Sequence, residues 1–109
     1  MFFSPDEPKI LRVGPERVVT AALHNRTVLV CQAEGNPAPT YQWLQRSSTS
    51  VETVYVRGTD HMLVIHNVTY DYQGEYLCKA SNTIKSIQRV TESRPIELSV
   101  VGKWKLNYN

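Results

Sequence analysis

The chain has 109 residues, which is enough for one two-layer domain around a single core and too few for two. Its 12 basic and 10 acidic residues are mixed along the sequence and give a formal net charge of +2, so no basic block is present that would bind nucleic acid or an anionic membrane. No apolar run approaches the ~18 residues of a membrane-spanning helix. The first residues are not expected to be a signal peptide, because a charged start and a long apolar stretch are both missing.

The first third of the chain is predicted to contain two strands after a short leading segment, residues 1–7, which has prolines and acidic side chains without alternation. A first strand is indicated by the apolar residues Ile10, Val13, Val18 and Val19. This strand is expected to break at Gly14-Pro15 and to switch between sheets, because proline cannot donate to a central hydrogen-bond ladder. The next segment, Arg26–Ala33, alternates with a period of two and predicts a second strand.

The remainder of the chain is predicted to be strands separated by turns. A loop with two prolines, Gly35–Pro39, precedes them, and the polar run Ser47–Ser50 forms a turn. The predicted strands are Tyr41–Arg46, Val54–Val56, Met62–Asn67, Gly74–Ser81 and a last strand that contains Ile96, Leu98 and Val100. We therefore expect one domain over residues 8–102, with residues 103–109 as a linker or tail.

Two cysteines and a tryptophan have a characteristic spacing: Cys31 and Cys78 are the only cysteines, and Trp43 follows the first by 12 positions. The run Cys31-Gln32-Ala33-Glu34-Gly35-Asn36-Pro37-Ala38-Pro39 before Trp43 resembles the C-x-A-x-G-x-P-x-P…W motif of the I-set of the immunoglobulin superfamily. Leu63-Val64-Ile65-His66-Asn67-Val68 resembles the L-x-I-x-N-V motif of its strand E, and Asp71-Tyr72-Gln73-Gly74-Glu75-Tyr76-Leu77-Cys78 its strand F. The resemblance covers roughly residues 8–101.

The resemblance implies an all-β fold, an immunoglobulin-like β-sandwich of two antiparallel sheets with Greek-key connections. It further implies a Cys31–Cys78 disulfide between strands B and F, buried against Trp43 of strand C. Tyr76 is expected to bond through its hydroxyl to the backbone at the E–F corner. Leu63 of strand E is expected in the core, together with Trp43 and Tyr76.

Two departures from the family pattern affect the F strand and its neighbours. Lys85 occupies the glycine position of the usual Asn-x-x-Gly turn, and the F–G hairpin, within Asn82–Arg94, is about five residues longer than usual. Tyr72 stands where the family usually has an aspartate, with Asp71 one place early, so the usual aspartate contact of the E–F corner is not assured.

Two N-glycosylation sequons, Asn25-Arg26-Thr27 and Asn67-Val68-Thr69, accompany the cysteine pair. Buried thiols in a cytosolic chain would be an alternative, but the combination favours a glycoprotein of the secretory pathway. We expect an extracellular piece of a longer cell-surface or secreted protein, with Ig-like or fibronectin-type neighbours implied by the resemblance.

No catalytic constellation is found in the sequence, because nucleophile, base and metal ligands do not converge. The three histidines, His24, His61 and His66, are interpreted as solvated surface residues, and neither an enzyme nor a cofactor is expected. Function should therefore be recognition. The resemblance implies an adhesion or receptor module that binds a protein ligand or itself. The alternative is a structural spacer in an ectodomain stalk or a muscle-type filament.

Three surfaces are candidates for the partner. The outer C–F–G face is predicted to carry an apolar centre and a charged rim: Leu44, Leu77 and Tyr55 with Arg46 and Lys79. The outer B–E face is predicted to gather Val28, Val30, Met62 and Val64, although such residues suit strands whichever way they face. The third candidate is the long F–G segment, for which a disordered tip is the alternative.

Overall fold

The computed structural model describes residues 4–47 and 53–102 of the chain. The described residues form nine strands and one short 3₁₀ turn: β1 (Asp6–Gly14), β2 (Val18–Ala22), β3 (Thr27–Asn36), β4 (Thr40–Ser47), β5 (Val54–Gly58), β6 (Met62–Ile65), the 3₁₀ turn (Tyr70–Tyr72), β7 (Gly74–Ile84), β8 (Ile87–Glu92) and β9 (Ile96–Val101). The predicted all-β fold is therefore confirmed.

The strands form two sheets that face each other across one core. One sheet has the order β1-β3-β6, and the other has the order β2-β9-β7-β4-β5, with β8 added to the far part of β7. The first strand switches sheets as predicted: β1 runs antiparallel to β3 in one sheet, and its continuation β2 runs parallel to β9 in the other. The break lies at Pro15, which has no N–H to donate to either sheet.

Several strand ends differ from the prediction. Strand β1 begins at Asp6, inside the predicted leading segment, because Asp6 pairs with Asn36 of β3. Strand β6 ends at Ile65, two residues before its predicted end. Strand β7 continues to Ile84, three residues beyond its predicted end, because these residues pair with β8. The predicted tail, residues 103–109, lies outside the described residues.

The core is centred on the bond between Cys31 of β3 and Cys78 of β7, which joins the two sheets. Trp43 is opposite Cys78 in the β4–β7 register, and its side chain is fully buried. The core also contains Leu29, Leu63, Ile65, Val68, Ile96 and Leu98. The two cysteines are 47 residues apart, and a cross-link of that length removes on the order of 4 kcal/mol of denatured-state entropy.

Tyr76 bonds to the E–F corner as predicted. Its hydroxyl donates to the backbone oxygen of Tyr72 at 2.6 Å, and its ring is fully buried between the sheets. Burial raises the pKa of the Tyr76 phenol, because the phenolate would lose its hydration.

A buried amide and a guanidinium make the polar contacts of this corner. Gln45 has no exposed surface, and its Nε2 donates to the backbone oxygens of Asp71 and Gln73 at 2.8 and 3.0 Å. The Nε of Arg57 donates to Oε1 of Gln45 at 2.6 Å, and its guanidinium lies 4.6 Å from the centroid of the Tyr72 ring. A cation–π contact with Tyr72 thus stands at the position where the family usually has an aspartate.

The F–G segment is a regular hairpin, and the alternative of a disordered tip is wrong. Ile84 pairs with Ile87, so the turn has only two residues, Lys85 and Ser86, with φ angles of 52° and 68°. Two positive φ angles are typical of a type I′ hairpin turn, whose twist matches that of the strands. Midway along the hairpin, Nδ2 of the buried Asn82 donates to the backbone oxygens of Asp6 and Pro37, each at 2.9 Å.

We predict that Tyr76→Phe lowers the free energy of unfolding by about 1 kcal/mol at pH 7, because the bond to Tyr72 is lost and its acceptor stays near the core. The neutral phenol stabilises the fold fully below about pH 10, its ordinary pKa, and this contribution is lost as the pH rises above that value. The variant should therefore lose less stability than the wild type in alkali. Urea denaturation at several pH values measures both effects, with the exposed Tyr70→Phe as the control; equal stability of the two variants would contradict the assignment.

A second prediction concerns the hairpin turn. Ser86→Gly should stabilise the domain by about 0.5–1 kcal/mol, because glycine adopts a positive φ without the cost that a Cβ imposes. Ser86→Ala is the matched control, since alanine also loses the hydroxyl but keeps the Cβ, and it should give no gain. Thermal and urea denaturation compare the three proteins. A gain for alanine equal to that for glycine would show that the turn conformation is not the cause.

Candidate partner-binding face

The candidate face is the outer side of the sheet β2-β9-β7-β4-β5. Because Trp43, Tyr76 and Cys78 point into the core, the alternation of a strand places Leu44 and Leu77 on the outer side. Leu44 is opposite Leu77 on β7 and opposite Val56 on β5. These three residues, Val56, Leu44 and Leu77, form one line across three strands, here called the apolar row. The two leucines are half-buried, and Val56 is 56% exposed.

Charged residues lie on both sides of the apolar row. On one side, Nη1 of Arg46 is 3.2 Å from Oε1 of Glu75, and both side chains are nearly half exposed. On the other side, Lys79 is opposite Gln42 of β4 and Glu92 of β8. An exposed ion pair of this kind contributes at most about 1 kcal/mol to stability. The charges therefore have more influence on what can approach the face than on how stably it folds.

Glu97 adds a negative charge on the same face. It is opposite Glu75 in the β7–β9 register, and like charges in that arrangement repel. A cleft of about 450 Å³ lies beside these two carboxylates, and Gly74, which has no side chain, is among its lining residues. The end of the face that contains this cleft is thus more negative than the rest.

Tyr55 does not belong to this face, and its predicted place there is wrong. It is opposite Gln45, whose side chain points inward, so Tyr55 projects towards the other side of the sheet. Its ring lies 5.2 Å from the guanidinium carbon of Arg57. Val56 occupies the position predicted for Tyr55, because the β4–β5 register pairs Val56 with Leu44. The other four predicted partner residues, Leu44, Arg46, Leu77 and Lys79, do lie together.

The rival face has the predicted arrangement. Val28 is opposite Val64 and Val30 is opposite Met62, so the four residues lie side by side on β3 and β6. The side chains of the three valines are half-buried, whereas Met62 is 41% exposed.

The two sequon asparagines are exposed and lie next to each other. Asn25 is in the turn between β2 and β3, and its backbone oxygen accepts from the N–H of Val68 at 3.0 Å. Nδ1 of His24 lies 3.2 Å from Oδ1 of Asn67, which leaves the Asn67 Nδ2, the atom that a glycan would occupy, outside this contact. The turn that contains Asn25 connects the two sheets, because β2 and β3 belong to different ones. Both asparagines lie at the end of the domain opposite the F–G hairpin.

The histidines do not assemble into a metal site. His61 contacts its neighbour Asp60, with Nδ1 and Oδ1 2.8 Å apart, and this hydrogen bond lowers the pKa of the Asp60 carboxyl. Across residues 4–47 and 53–102, no three His, Cys, Asp or Glu side chains are grouped so that they could hold a metal ion. In the same ranges, none of the helical structure is long and apolar enough to cross a membrane.

Curated relatives support the fold assignment. The chain is 32% identical over 98 residues to hemicentin-2 of Mus musculus, covering 88% of this chain and 2% of the relative. It is 35% identical over 92 residues to basal cell adhesion molecule of Bos taurus, covering 84% of this chain and 13% of the relative. It is 38% identical over 77 residues to contactin-5 of Danio rerio, covering 71% of this chain and 7% of the relative. The chain thus spans only a small part of each of these proteins.

Solved structures have the same architecture. A complex of Dpr2 Ig1-Ig2 with DIP-Theta Ig1-Ig3 matches with a TM-score of 0.67 and 25% identity, covering 88% of this chain and 32% of the matched chain. Titin domain M7 matches with a TM-score of 0.64 and 18% identity, covering 90% of this chain and 97% of that one; at this identity the likeness concerns the fold alone. The model of a family described as "immunoglobulin domain" matches residues 7–82. The chain therefore belongs to the immunoglobulin domain family.

Proposed function

We propose that this domain is a non-enzymatic recognition module of an extracellular adhesion molecule or receptor, and that it binds a protein partner through the outer face of β4, β7 and β5. The observation that carries the proposal is the apolar row, which is partly exposed between charged residues on a sheet that a disulfide joins to the rest of the domain. An apolar centre with a polar rim is typical of a modest protein interface. Relatives named as adhesion molecules support the class of function.

The apolar row would provide most of the binding energy. Removing the exposed parts of Val56, Leu44 and Leu77 from water would stabilise a complex by about 25 cal/mol for each Å² buried. Leu77 occupies the central strand β7, so a partner that covers the row must cover this residue. Arg46 and Lys79 lie at the rim, where charges influence which partner binds and how fast it associates.

We further propose that the domain is glycosylated at Asn25 and Asn67 and belongs to a longer cell-surface or secreted protein with further Ig-like or fibronectin-type domains. The disulfide supports an oxidising compartment. The sequons lie at one end of the sandwich, so glycans there would leave the outer face of β4, β7 and β5 accessible. If these sites carry no glycan, the outer side of β3 and β6 becomes the stronger candidate for the binding face.

The face is tested with two matched substitutions. In a multimerised secreted form of the chain, Leu77→Asp should abolish binding to cells that the wild type labels, because the complex would bury an unpaired carboxylate at its centre. Val30→Asp introduces the same charge on the other sheet and should leave labelling nearly unchanged. Flow cytometry on a panel of cell lines measures both, with variants of equal thermal stability. The reverse ranking would assign binding to the β3–β6 face, and no labelling of any cell type would favour the spacer role.

Glycosylation is tested by mass. Chain secreted from animal cells should lose two N-glycans on enzymatic deglycosylation, whereas Asn25→Gln and Asn67→Gln should each lose one. Thr27→Ser keeps a valid sequon and serves as the control for the first site. No mass change in any variant would remove the support for the secretory pathway and strengthen the filament alternative.

A further inference from the structure

We propose that the outer face of β4, β7 and β5 binds a second copy of this chain, about a twofold axis that runs along the apolar row. This inference rests on the proposed function, since it identifies the partner of the same face. Its basis is that the charge pattern of β7 is complementary to its own copy in this arrangement. An isologous contact requires such self-complementarity, because each residue meets the residue that its counterpart meets.

The central strand β7 carries the pattern. Glu75, Leu77 and Lys79 alternate with the buried Tyr76 and Cys78, so the three side chains point outward in the order negative, apolar, positive. When a second copy is turned by 180° about an axis through Leu77 and across the strand, the order is reversed. Each Glu75 then faces Lys79 of the second copy, and the two leucines meet on the axis.

The neighbouring strands determine the direction of the axis. Val56 and Leu44 are in register with Leu77, so an axis along this line brings each apolar residue onto its own counterpart. An axis along β7 would instead bring Leu44 of one copy to the β8–β9 side of the other, away from its apolar partners. An axis parallel to the strands and midway between β4 and β7 would bring Leu44 onto Leu77 but would place Val56 over β9. Burial of all three apolar residues therefore favours the axis along the row, and that axis also pairs the charges of β7.

The rest of the face fits this arrangement with one unfavourable contact. Arg46, which already contacts Glu75, would lie towards the uncharged Gln42 of the second copy. Glu97 and Glu92 lie on opposite sides of the row, on β9 and β8, so each would approach the other residue of the second copy. This repulsion is at the solvated rim, where salt screens it. It provides a test, because removing one of the carboxylates should strengthen the association.

The contact area limits the expected strength. The row spans only three strands, and the twist of each sheet moves the outer strands of two facing sheets apart. The interface therefore belongs to the small, weakly associating class below about 1,200 Å² in total. We expect reversible dimers at concentrations from about ten micromolar to one millimolar.

The test is a charge exchange followed by sedimentation equilibrium on secreted protein. Glu75→Lys and Lys79→Glu should each weaken dimerisation at least tenfold, because attraction becomes repulsion at two symmetric contacts. An equimolar mixture of the two variants should form heterodimers with wild-type affinity to within about threefold, and so should the double variant with itself. Glu16→Lys and Lys85→Glu, which make the same charge changes at exposed positions away from the face, are the matched controls. Restoration by mixing cannot result from a folding defect in either variant.

A second variant tests the orientation. Glu97→Gln should strengthen the dimer about twofold to threefold in the arrangement proposed, and more at low salt than at high salt. Weaker association of this variant would overturn the orientation, because it would show that Glu97 contacts a positive charge.

The remaining outcomes separate this inference from the proposed function. A wild-type chain that stays monomeric at one millimolar overturns the inference. If its multimerised form nevertheless labels cells through Leu77, the proposed face remains and its partner is a different protein. Dimerisation that Leu77→Asp leaves intact, or that the mixture of exchanged variants fails to restore, assigns the self-contact to another surface and overturns the inference as well.

Discussion

The inter-sheet bond between Cys31 and Cys78 is the constraint on which the rest of the structure depends. It fixes which side of β3 and β7 faces the core, and Trp43, opposite Cys78, fixes the same for β4. Since side chains alternate along a strand, the outward residues are determined once the inward ones are. The outward position of Leu44 and Leu77 is therefore a geometric consequence of the buried disulfide and tryptophan on the inner face.

The sequence could predict those features that depend on alternation about a known inward residue. The outward direction of Leu44 and Leu77 follows from alternation about Trp43 and Cys78. The two-sheet fold, the disulfide and the Tyr76 contact were instead implied by the resemblance of the motifs around Cys31, Trp43 and Cys78 to the I-set. The pairing between neighbouring strands does not follow from alternation. Tyr55 was misplaced for this reason, since a short exposed strand has no buried residue of its own to fix its register.

Polar contacts between segments far apart in sequence could not be predicted either. Gln45 follows Trp43 by two positions, so alternation places it inward, but only the folded chain brings the oxygens of Asp71 and Gln73 and the guanidinium of Arg57 within reach. A buried amide is tolerated when its donors and acceptor are all satisfied, as they are here. The extension of β7 to Ile84 likewise depends on pairing with β8, which no local pattern of β7 indicates.

The rigidity of the disulfide-joined sheets explains why a small face could discriminate between partners. A sheet joined by a disulfide and flanked by an ordered hairpin loses little conformational entropy on binding, so more of the energy of a modest apolar contact remains as affinity. Because that energy is small, the sign of each flanking charge has a large relative effect. The alternation of Glu75, Leu77 and Lys79 along one strand then matters more than the area buried, and the position of the charges about the apolar row decides which surfaces can approach it.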